Sequence, residues 1–130
     1  MNILIIHLLG SKERLDFQQQ QFARLQLNFE ILPAVSVANI SEQQYQQQAF
    51  GWQRPLRKVE LACFLSHKTA WEKVIELNQP CLILEDDAVL AKNSREVLEN
   101  IEQQQFSDVD LINLEVRSRK KIVSKQAKLN

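Results

Sequence analysis

Glycine is scarce in this 130-residue chain, which contains only Gly10 and Gly51. Phosphate-binding loops of the P-loop and dinucleotide-fingerprint types each require several closely spaced glycines. The composition therefore excludes both kinds of loop, together with the mononucleotide sites that they build.

Cysteine is equally scarce, since the chain contains only Cys63 and Cys81. Both stand in apolar stretches, which favours reduced core side chains over a disulfide framework or a thiolate zinc site. This usage of cysteine predicts a reducing compartment.

Long apolar runs are also missing. No run approaches the roughly 18 residues that a membrane-spanning helix needs. The amino-terminal stretch at 1–9 is apolar, but it lacks a basic leader and a small-residue cleavage site, so it is interpreted as a strand rather than a signal peptide. We therefore expect a cytoplasmic protein.

The 16 basic residues balance the 16 acidic residues, but the two signs are unevenly distributed. The last 14 residues contain six basic residues and no acidic one, so the body of the chain is acidic and its carboxyl terminus is basic. The terminus is either a solvated end or an electrostatic tether to anionic lipid or another polyanion, which would place the protein at the cytoplasmic face of the inner membrane. No nucleic-acid partner is expected. The basic residues of the tail are Arg117, Arg119, Lys120, Lys121, Lys125 and Lys128.

Two kinds of apolar pattern alternate along the chain. Short apolar runs predict strands, and apolar residues at helical spacing predict helices. Their alternation, over a length suited to one domain, favours an α/β fold with a mostly parallel, Rossmann-like sheet. Pro33 indicates an edge strand or an early strand end. Strands are predicted at 2–9, 29–35, 81–84 and 110–114, and helices at 11–26, 41–50, 59–77 and 94–105.

Several side chains on these helices have a predicted environment. The run of glutamine at 18–21 is placed on the solvent side of the first helix, opposite its apolar face. Ser41 and Gln44 have the spacing of a capping box at the start of the second helix. Trp71, on the third helix, is expected in the core. Trp52, in the loop before that helix, could stack on a sugar or a uracil ring, and so could an exposed Trp71.

Three consecutive carboxylates, Glu85, Asp86 and Asp87, follow the short strand predicted at 81–84. Ligands of open parallel sheets bind outside the carboxyl ends of strands, and adjacent carboxylates at the edge of a core need a cation or donors nearby. Alternation along the strand places Glu85 and Asp87 on one side and Asp86 on the other. Mg²⁺ and Mn²⁺ prefer such oxygen ligands and commonly complete their coordination with substrate phosphates.

Three interpretations of this acidic segment are open from the residues alone. It could begin a loop and cap the segment that follows, or it could bind a metal ion and a diphosphate. It could also form a phosphoacceptor pocket of the receiver-domain kind, in which paired acids hold Mg²⁺. Receiver domains place their acid pair after the first strand, whereas this segment follows an internal strand, which disfavours the third interpretation.

Two other places in the chain offer weaker candidates. Ser66 and His67 are neighbours on a predicted helix and point about 100° apart, so they do not form a nucleophile and base pair by themselves. By that reasoning His67 is a satisfied or surface histidine. Arg54 and Arg57, in the loop at 51–57, could receive phosphate or sugar hydroxyls, or could belong to an ordinary solvated loop.

Four segments carry the most specific pattern of the chain. They are the opening strand with 11–14 (SKER), a central block at 60–71 (ELACFLSHKTAW), an acidic block at 82–90 (LILEDDAVL) and a final segment at 110–114 (DLINL). In order and approximate spacing they resemble glycosyltransferase family 25, the lipooligosaccharide-biosynthesis galactosyltransferases, which also have collagen-modifying relatives.

The resemblance implies a GT-A-like nucleotide-diphosphosugar transferase fold. It also implies transfer of a hexose, typically galactose from UDP-galactose, to a saccharide or lipooligosaccharide acceptor with inversion. Glu85, Asp86 and Asp87 correspond to the DxD-type element that holds Mn²⁺, or Mg²⁺ in its place, and the donor diphosphate. Asp87 is then the first candidate for metal ligand and Glu85 the second, with Glu85 or Asp86 contacting the donor sugar or ribose. The other donor-binding candidates matched by position are Arg14, Glu60, Ser66 and His67.

The chain also departs from the family pattern. His7 stands where the family usually has Asn, Gly10 where it has Arg, and Ala62 where it has Gly. Family members continue well beyond the fourth segment, in a portion that ordinarily supplies much of the acceptor site and the general base. We therefore expect a short or truncated homologue with a donor-binding domain at 1–114, a basic tail at 115–130 and no assigned catalytic residue. The alternative is a non-catalytic homologue that keeps the fold and nucleotide-sugar binding.

Overall fold

A parallel sheet of three strands lies at the centre of the computed structural model, which describes residues 1–104 and 109–115. The strands are β1 (Asn2–His7), β2 (Glu30–Pro33) and β3 (Cys81–Glu85), in the order β2-β1-β3. β1 pairs in parallel with both neighbours. The prediction of an α/β fold with a parallel sheet is confirmed.

Helices connect the strands, because parallel pairing requires a crossover between one strand and the next. α1 (Lys12–Leu25) leads to β2, and a short 3-10 helix (Val37–Asn39), α2 (Glu42–Gln48) and α3 (Lys58–Leu77) lead to β3, whereas α4 (Ser94–Gln104) follows β3. Half of the predicted capping box of α2 is formed. The Ser41 hydroxyl accepts a hydrogen bond from the Gln44 N–H at 3.1 Å, but among the described residues the Gln44 side chain makes no return bond to the Ser41 N–H. All four predicted α-helices are therefore confirmed, with α2 ending two residues earlier than expected.

Helices cover both faces of the sheet, because successive side chains of β1 point to opposite faces. One core cluster contains Ile3, Ile5, Phe22 of α1 and Leu98 of α4. The other contains Leu4, Ile6, Leu32 of β2 and Ala70 of α3. The unbroken apolar run of β1 thus fills two cores, one with α1 and α4 and one with α3.

The edge strand β2 ends at Pro33, as the sequence predicted. The strand predicted at 110–114 is wrong: the described residues from 109 to 115 are irregular and exposed. Leu111, for example, is 80% exposed. An apolar pattern becomes a strand only where a neighbouring strand offers backbone partners, and no strand of the described residues pairs with this segment.

From residue 116 onward the predicted basic tail lies outside the described residues, and so does the predicted lipid tether. Within the part of the chain that the structure describes, no helix combines the length and the apolar character needed to cross a bilayer.

Candidate functional site

The strand order places one crevice at the carboxyl end of the sheet. The chain passes from β1 to β2 on one side and then returns to the opposite side of β1 with β3. In open parallel sheets such a reversal leaves a crevice beyond the strand ends, where ligands bind. His7 is the last residue of β1 and Glu85 the last of β3, and Ile6 pairs with Glu85. The acidic segment therefore lies at the reversal point of this sheet.

The alternation of β3 sends the first two carboxylates in opposite directions. Leu82 and Leu84 pack on the α1 face of the sheet, and Cys81 and Ile83 pack on the α3 face. Asp86 continues the first series and Glu85 the second, so Asp86 meets α1 and Glu85 meets α3. This separation of Glu85 from Asp86 is the one that the sequence predicted. The predicted placement of Asp87 on the side of Glu85 is wrong, because Asp87 lies beside Arg14 of α1, as Asp86 does.

Asp86 is buried, with 5% of its surface exposed. Its Oδ2 lies 2.9 Å from His7 Nδ1, and its Oδ1 accepts a hydrogen bond from Arg14 Nη1 at 2.8 Å. Burial by itself would raise the pKa of Asp86. The hydrogen bonds from Arg14, His7 and the Leu8 N–H outweigh burial and hold this pKa below its usual range. Asp86 is therefore a carboxylate, and it ties β1 and α1 to the end of β3.

Asp87 lies in the turn after β3, where the strand alternation no longer applies. Its Oδ2 is 3.9 Å from Arg14 Nη1, and the two side chains are 61% and 55% exposed. The hydrogen bond from Arg14 to Asp86, followed by the negative charges of Asp86 and Asp87, raises the pKa of the guanidinium. On the α1 side of the reversal point, the exposed Asp87 carboxylate and the exposed Arg14 guanidinium thus lie side by side.

Two buried glutamines of α1 hold the backbone of this turn. Gln18 Nε2 donates to the carbonyl oxygens of Asp86 at 3.0 Å and Ala88 at 2.8 Å. Gln21 Nε2 donates to Ala88 O at 3.1 Å, and its Oε1 accepts from the Leu90 N–H at 2.8 Å. The prediction that the glutamine run lies on the solvent side of α1 is wrong for Gln18 and Gln21, but it is confirmed for residues 19 and 20, which are exposed.

The signal for the buried glutamines was present in the sequence. Gln18 is three residues after Leu15 and four before Phe22, so it stands inside the apolar stripe of α1. Polar groups at such a position are accepted when they satisfy buried backbone atoms. Sequence reasoning missed them because residue type was given more weight than spacing.

Glu85 points toward α3, where it meets His67 and Cys63. Its Oε1 lies 3.0 Å from His67 Nε2 and accepts a hydrogen bond from the Cys63 thiol at 3.8 Å. Partial burial, and then the charge and hydrogen bond of Glu85, raise the pKa of the Cys63 thiol. Ligand atoms of the three residues lie within 4.8 Å of one another.

The predicted core position of Cys63 is wrong, because its side chain is exposed. Leu61 and Ala62 take the buried positions of this turn of α3. One residue further along the helix, Cys63 faces the end of β3 instead. Cys81 packs against the core cluster on the α3 face, and both cysteines are free thiols.

Ser66 and Glu60 lie on the same helix but serve other contacts. The buried Ser66 hydroxyl donates to Ala62 O at 2.8 Å and accepts from the Val35 N–H at 2.8 Å, so it links α3 to the segment after β2. Glu60 Oε2 accepts from the Arg57 N–H at 2.8 Å at the start of α3. No hydrogen bond joins Ser66 or Glu60 to the acidic segment within the described residues.

Arg54 and Arg57, predicted to be in a loop, both bind Glu60. Arg54 does so through two hydrogen bonds, of 2.9 Å and 2.7 Å. The hydrogen bond from Arg54, followed by that from the Arg57 N–H, lowers the pKa of Glu60 far below its ordinary value. Glu60 thus neutralises one of the two positive charges of this loop.

An exposed row of aromatic rings continues along α3. The Trp52 ring meets Phe64 at a centroid distance of 5.7 Å, and Phe64 meets Trp71 at 6.3 Å. Trp71 is also 6.3 Å from the His67 ring. The predicted core position of Trp71 is wrong, since 45% of it is exposed. Ala70, its neighbour in sequence, takes the buried position against β1.

Comparison with known proteins agrees with the pattern of the four segments. A family model described as glycosyltransferase family 25 (LPS biosynthesis protein) matches residues 1–130. Two similar proteins, from Anopheles gambiae and Aedes aegypti, each carry the name "Glycosyltransferase 25 family member". Each is 32% identical to this chain over 96 residues, which cover 66% of the chain and 16% of the relative. The chain thus spans less than one fifth of the length of these curated relatives. On the family match over its whole length, the chain belongs to glycosyltransferase family 25.

Proposed function

We propose that this chain is the donor-binding part of a glycosyltransferase with a GT-A-like fold. It transfers a hexose, with galactose from UDP-galactose as the first candidate, to a saccharide acceptor in lipooligosaccharide or lipopolysaccharide biosynthesis, with inversion. Family membership supports the transferase class. The family description supports the pathway.

The observation that carries the proposal is the acidic segment at the reversal point of a parallel sheet. A diphosphate brought to this crevice meets the exposed Arg14 guanidinium, which Asp86 holds in place through a 2.8 Å hydrogen bond. Arginine suits this task because its planar fork of donors matches phosphate oxygens. The scarcity of glycine fits the same picture, since charged side chains rather than a glycine-rich loop would hold the diphosphate.

Carboxylate oxygens are the ligand type that a hard divalent cation, Mn²⁺ or Mg²⁺, prefers. Asp87 offers an exposed carboxylate, and Glu85 offers a second one whose Oε1 is engaged by His67 and Cys63. In the described residues no hydrogen bond uses Glu85 Oε2. Asp87 is the first ligand in this proposal and Glu85 the second. The cation would supply charge neutralisation of the departing diphosphate.

The remaining predicted donor-binding residues have distinct places in this scheme. His67 orients Glu85, while Glu60 and Ser66 stay predicted contacts to the donor. In the transfer itself an acceptor hydroxyl attacks the anomeric carbon, and a base takes its proton. No described residue is assigned as that base.

The test separates donor binding from turnover. UDP-galactose is titrated calorimetrically with and without Mn²⁺, and UDP release is then assayed with lactose-type or lipooligosaccharide acceptors. We expect Mn²⁺-dependent binding that Asp87→Asn abolishes. The matched control is Asp16→Asn, because residue 16 is about 200° around α1 from both Arg14 and Gln18 and should leave binding unchanged.

The outcomes distinguish two candidate functions. Binding accompanied by UDP release supports the transferase. Binding without UDP release would favour the alternative, a non-catalytic homologue that retains binding of the nucleotide sugar. The UDP-release assay is needed because the chain covers only a small share of each relative. Absence of any binding would contradict both.

A cytoplasmic location and a membrane contact through the tail at 115–130 belong to the same proposal. The membrane contact is tested by co-flotation of the full chain with phosphatidylglycerol-containing vesicles. Binding to these vesicles that disappears at high salt is expected, because counter-ions screen a polybasic contact. Equal flotation with neutral vesicles would contradict the tether.

A further inference from the structure

We infer that Cys63, His67 and Glu85 form a binding site for a thiophilic divalent cation, with Zn²⁺ as the expected occupant. The site is distinct in chemistry from the oxygen-ligated cation proposed at Asp87. Binding of Zn²⁺ at this site does not require glycosyltransferase activity, because side chains of this chain supply all three ligand atoms.

The geometry of the three side chains is close to that of a zinc site. With Zn–N and Zn–O bonds of about 2.0 Å and Zn–S bonds of about 2.3 Å, tetrahedral ligand atoms stand roughly 3.3 to 3.6 Å apart. The distance from His67 Nε2 to Glu85 Oε1 is 3.0 Å, and that from Cys63 Sγ to Glu85 Oε1 is 3.8 Å. All three ligand atoms lie within 4.8 Å of one another, so small side-chain rotations complete the arrangement.

The backbone already holds these ligands in place. Cys63 and His67 are four residues apart on α3, the spacing that puts two metal ligands on one face of a helix. Glu85 comes from the end of β3, on the sheet face that α3 covers. Ala70 packs α3 onto β1, and the Ser66 hydroxyl fixes the same helix to the segment after β2. Because the helix and the strand are fixed independently, little conformational freedom is lost on binding.

The ligand types select the cation. A thiolate and an imidazole favour Zn²⁺ over Mn²⁺ and Mg²⁺, which prefer oxygen ligands, and Zn²⁺ also stands above Mn²⁺ in the general order of affinities. Three protein ligands leave one position open to water or to a ligand. The site can be reached from solvent, since Cys63 is exposed and the Glu85 side chain is 51% exposed.

A consequence for the neighbouring acidic segment follows from the shared residue. Glu85 belongs to both sites, so a Zn²⁺ ion held by Cys63 and His67 draws this carboxylate toward α3. Asp87 takes no part in the zinc site. Zinc binding should therefore be unaffected by a change at Asp87, whereas Mn²⁺-dependent binding of UDP-galactose should be lost.

The test uses Co²⁺ as a spectroscopic substitute for Zn²⁺ on the full chain, kept reduced with a phosphine. We expect a thiolate-to-cobalt charge-transfer band that saturates at one equivalent and is displaced by one equivalent of Zn²⁺. Cys63→Ser should abolish the band. Cys81→Ser is the matched control and should keep it, because Cys81 contacts Gln79 O and lies outside the cluster.

Two further variants keep the test decisive if Cys63→Ser fails to fold. His67→Gln and Glu85→Gln should each weaken Co²⁺ binding at least about tenfold, the lower end of what loss of even an indirect supporting contact costs a metal site. Asp87→Asn should retain the full band, which separates failure of this site from failure of the proposed donor site. The inference is overturned if the folded parent shows no thiolate band, or if the band depends on Cys81 rather than Cys63.

Discussion

His7 Nδ1 lies 2.9 Å from Asp86 Oδ2, and this contact joins the carboxyl ends of β1 and β3. Since a carboxylate only accepts hydrogen bonds, Nδ1 carries the proton and donates a hydrogen bond to Asp86. The resemblance to the family pattern predicts Asn at the position of His7, and the amide nitrogen of Asn is also a donor. The departure from the pattern therefore preserves a donor at the end of β1.

Two replacements of His7 should separate the loss of its hydrogen-bond donor from the change in side-chain size. His7→Leu leaves the buried Asp86 carboxylate without one partner and should lower the free energy of unfolding by about 1–3 kcal/mol. His7→Asn keeps a donor at the same place and should cost less. Urea unfolding at neutral pH measures both. An equal loss in the two variants would contradict a role for the hydrogen bond.

Gln18 should matter to stability far more than its neighbour in the glutamine run. Gln18→Ala leaves the Asp86 carbonyl without its side-chain donor and should cost about 1–3 kcal/mol of unfolding free energy. Gln19→Ala, at an exposed site on the same helix, should change stability by less than about 0.5 kcal/mol. Thermal and urea unfolding of the pair provide the measurement. Equal stability of the two variants would show that the turn does not depend on Gln18.

Ser66 should contribute to stability, whether or not it also contacts the donor. Ser66→Ala removes the acceptor of the Val35 N–H and should destabilise the protein by about 1 kcal/mol. Thr69→Ala is the matched control, because among the described residues the exposed Thr69 hydroxyl makes only the hydrogen bond back to Leu65 O. Calorimetric titration of UDP-galactose on both variants adds the second readout. Weaker donor binding in Ser66→Ala, with unchanged stability, would instead support the direct donor contact predicted from the sequence.

Glu60 should give stability a specific dependence on pH. Its pKa is lowered by Arg54 first and then by the Arg57 N–H, so its contribution is present above its ordinary value and is lost as pH falls toward the lower folded value. Urea midpoints of the parent and of Glu60→Gln should therefore differ at pH 7 and converge in acid. High salt should also narrow the difference between the two urea midpoints, because salt ions screen the charges of Arg54, Arg57 and Glu60. A difference that grows on acidification would contradict this assignment.

The sequence by itself determined the class of the fold, because hydrophobic period is a local property. The apolar run of β1 and the helical spacing of α1 and α3 required a covered parallel sheet. The same local alternation sent Glu85 and Asp86 to opposite sides. The four segments at 11–14, 60–71, 82–90 and 110–114 identified the family. Neighbouring residues carried the period and the alternation, and the order and spacing of the four segments carried the family pattern.

The tertiary structure decided which distant residues meet. The contact of His7 with Asp86 depends on strand order, and that of Glu85 with His67 depends on where α3 crosses the end of β3. The burial of Gln18 depends on a turn about 70 residues later in the chain. The segment at 110–114 shows the same limit, since a strand needs partners that its own sequence does not contain. The period of the apolar residues determines on which face of a helix or strand a side chain lies. The packing of elements that are distant in sequence determines which residues that face contacts.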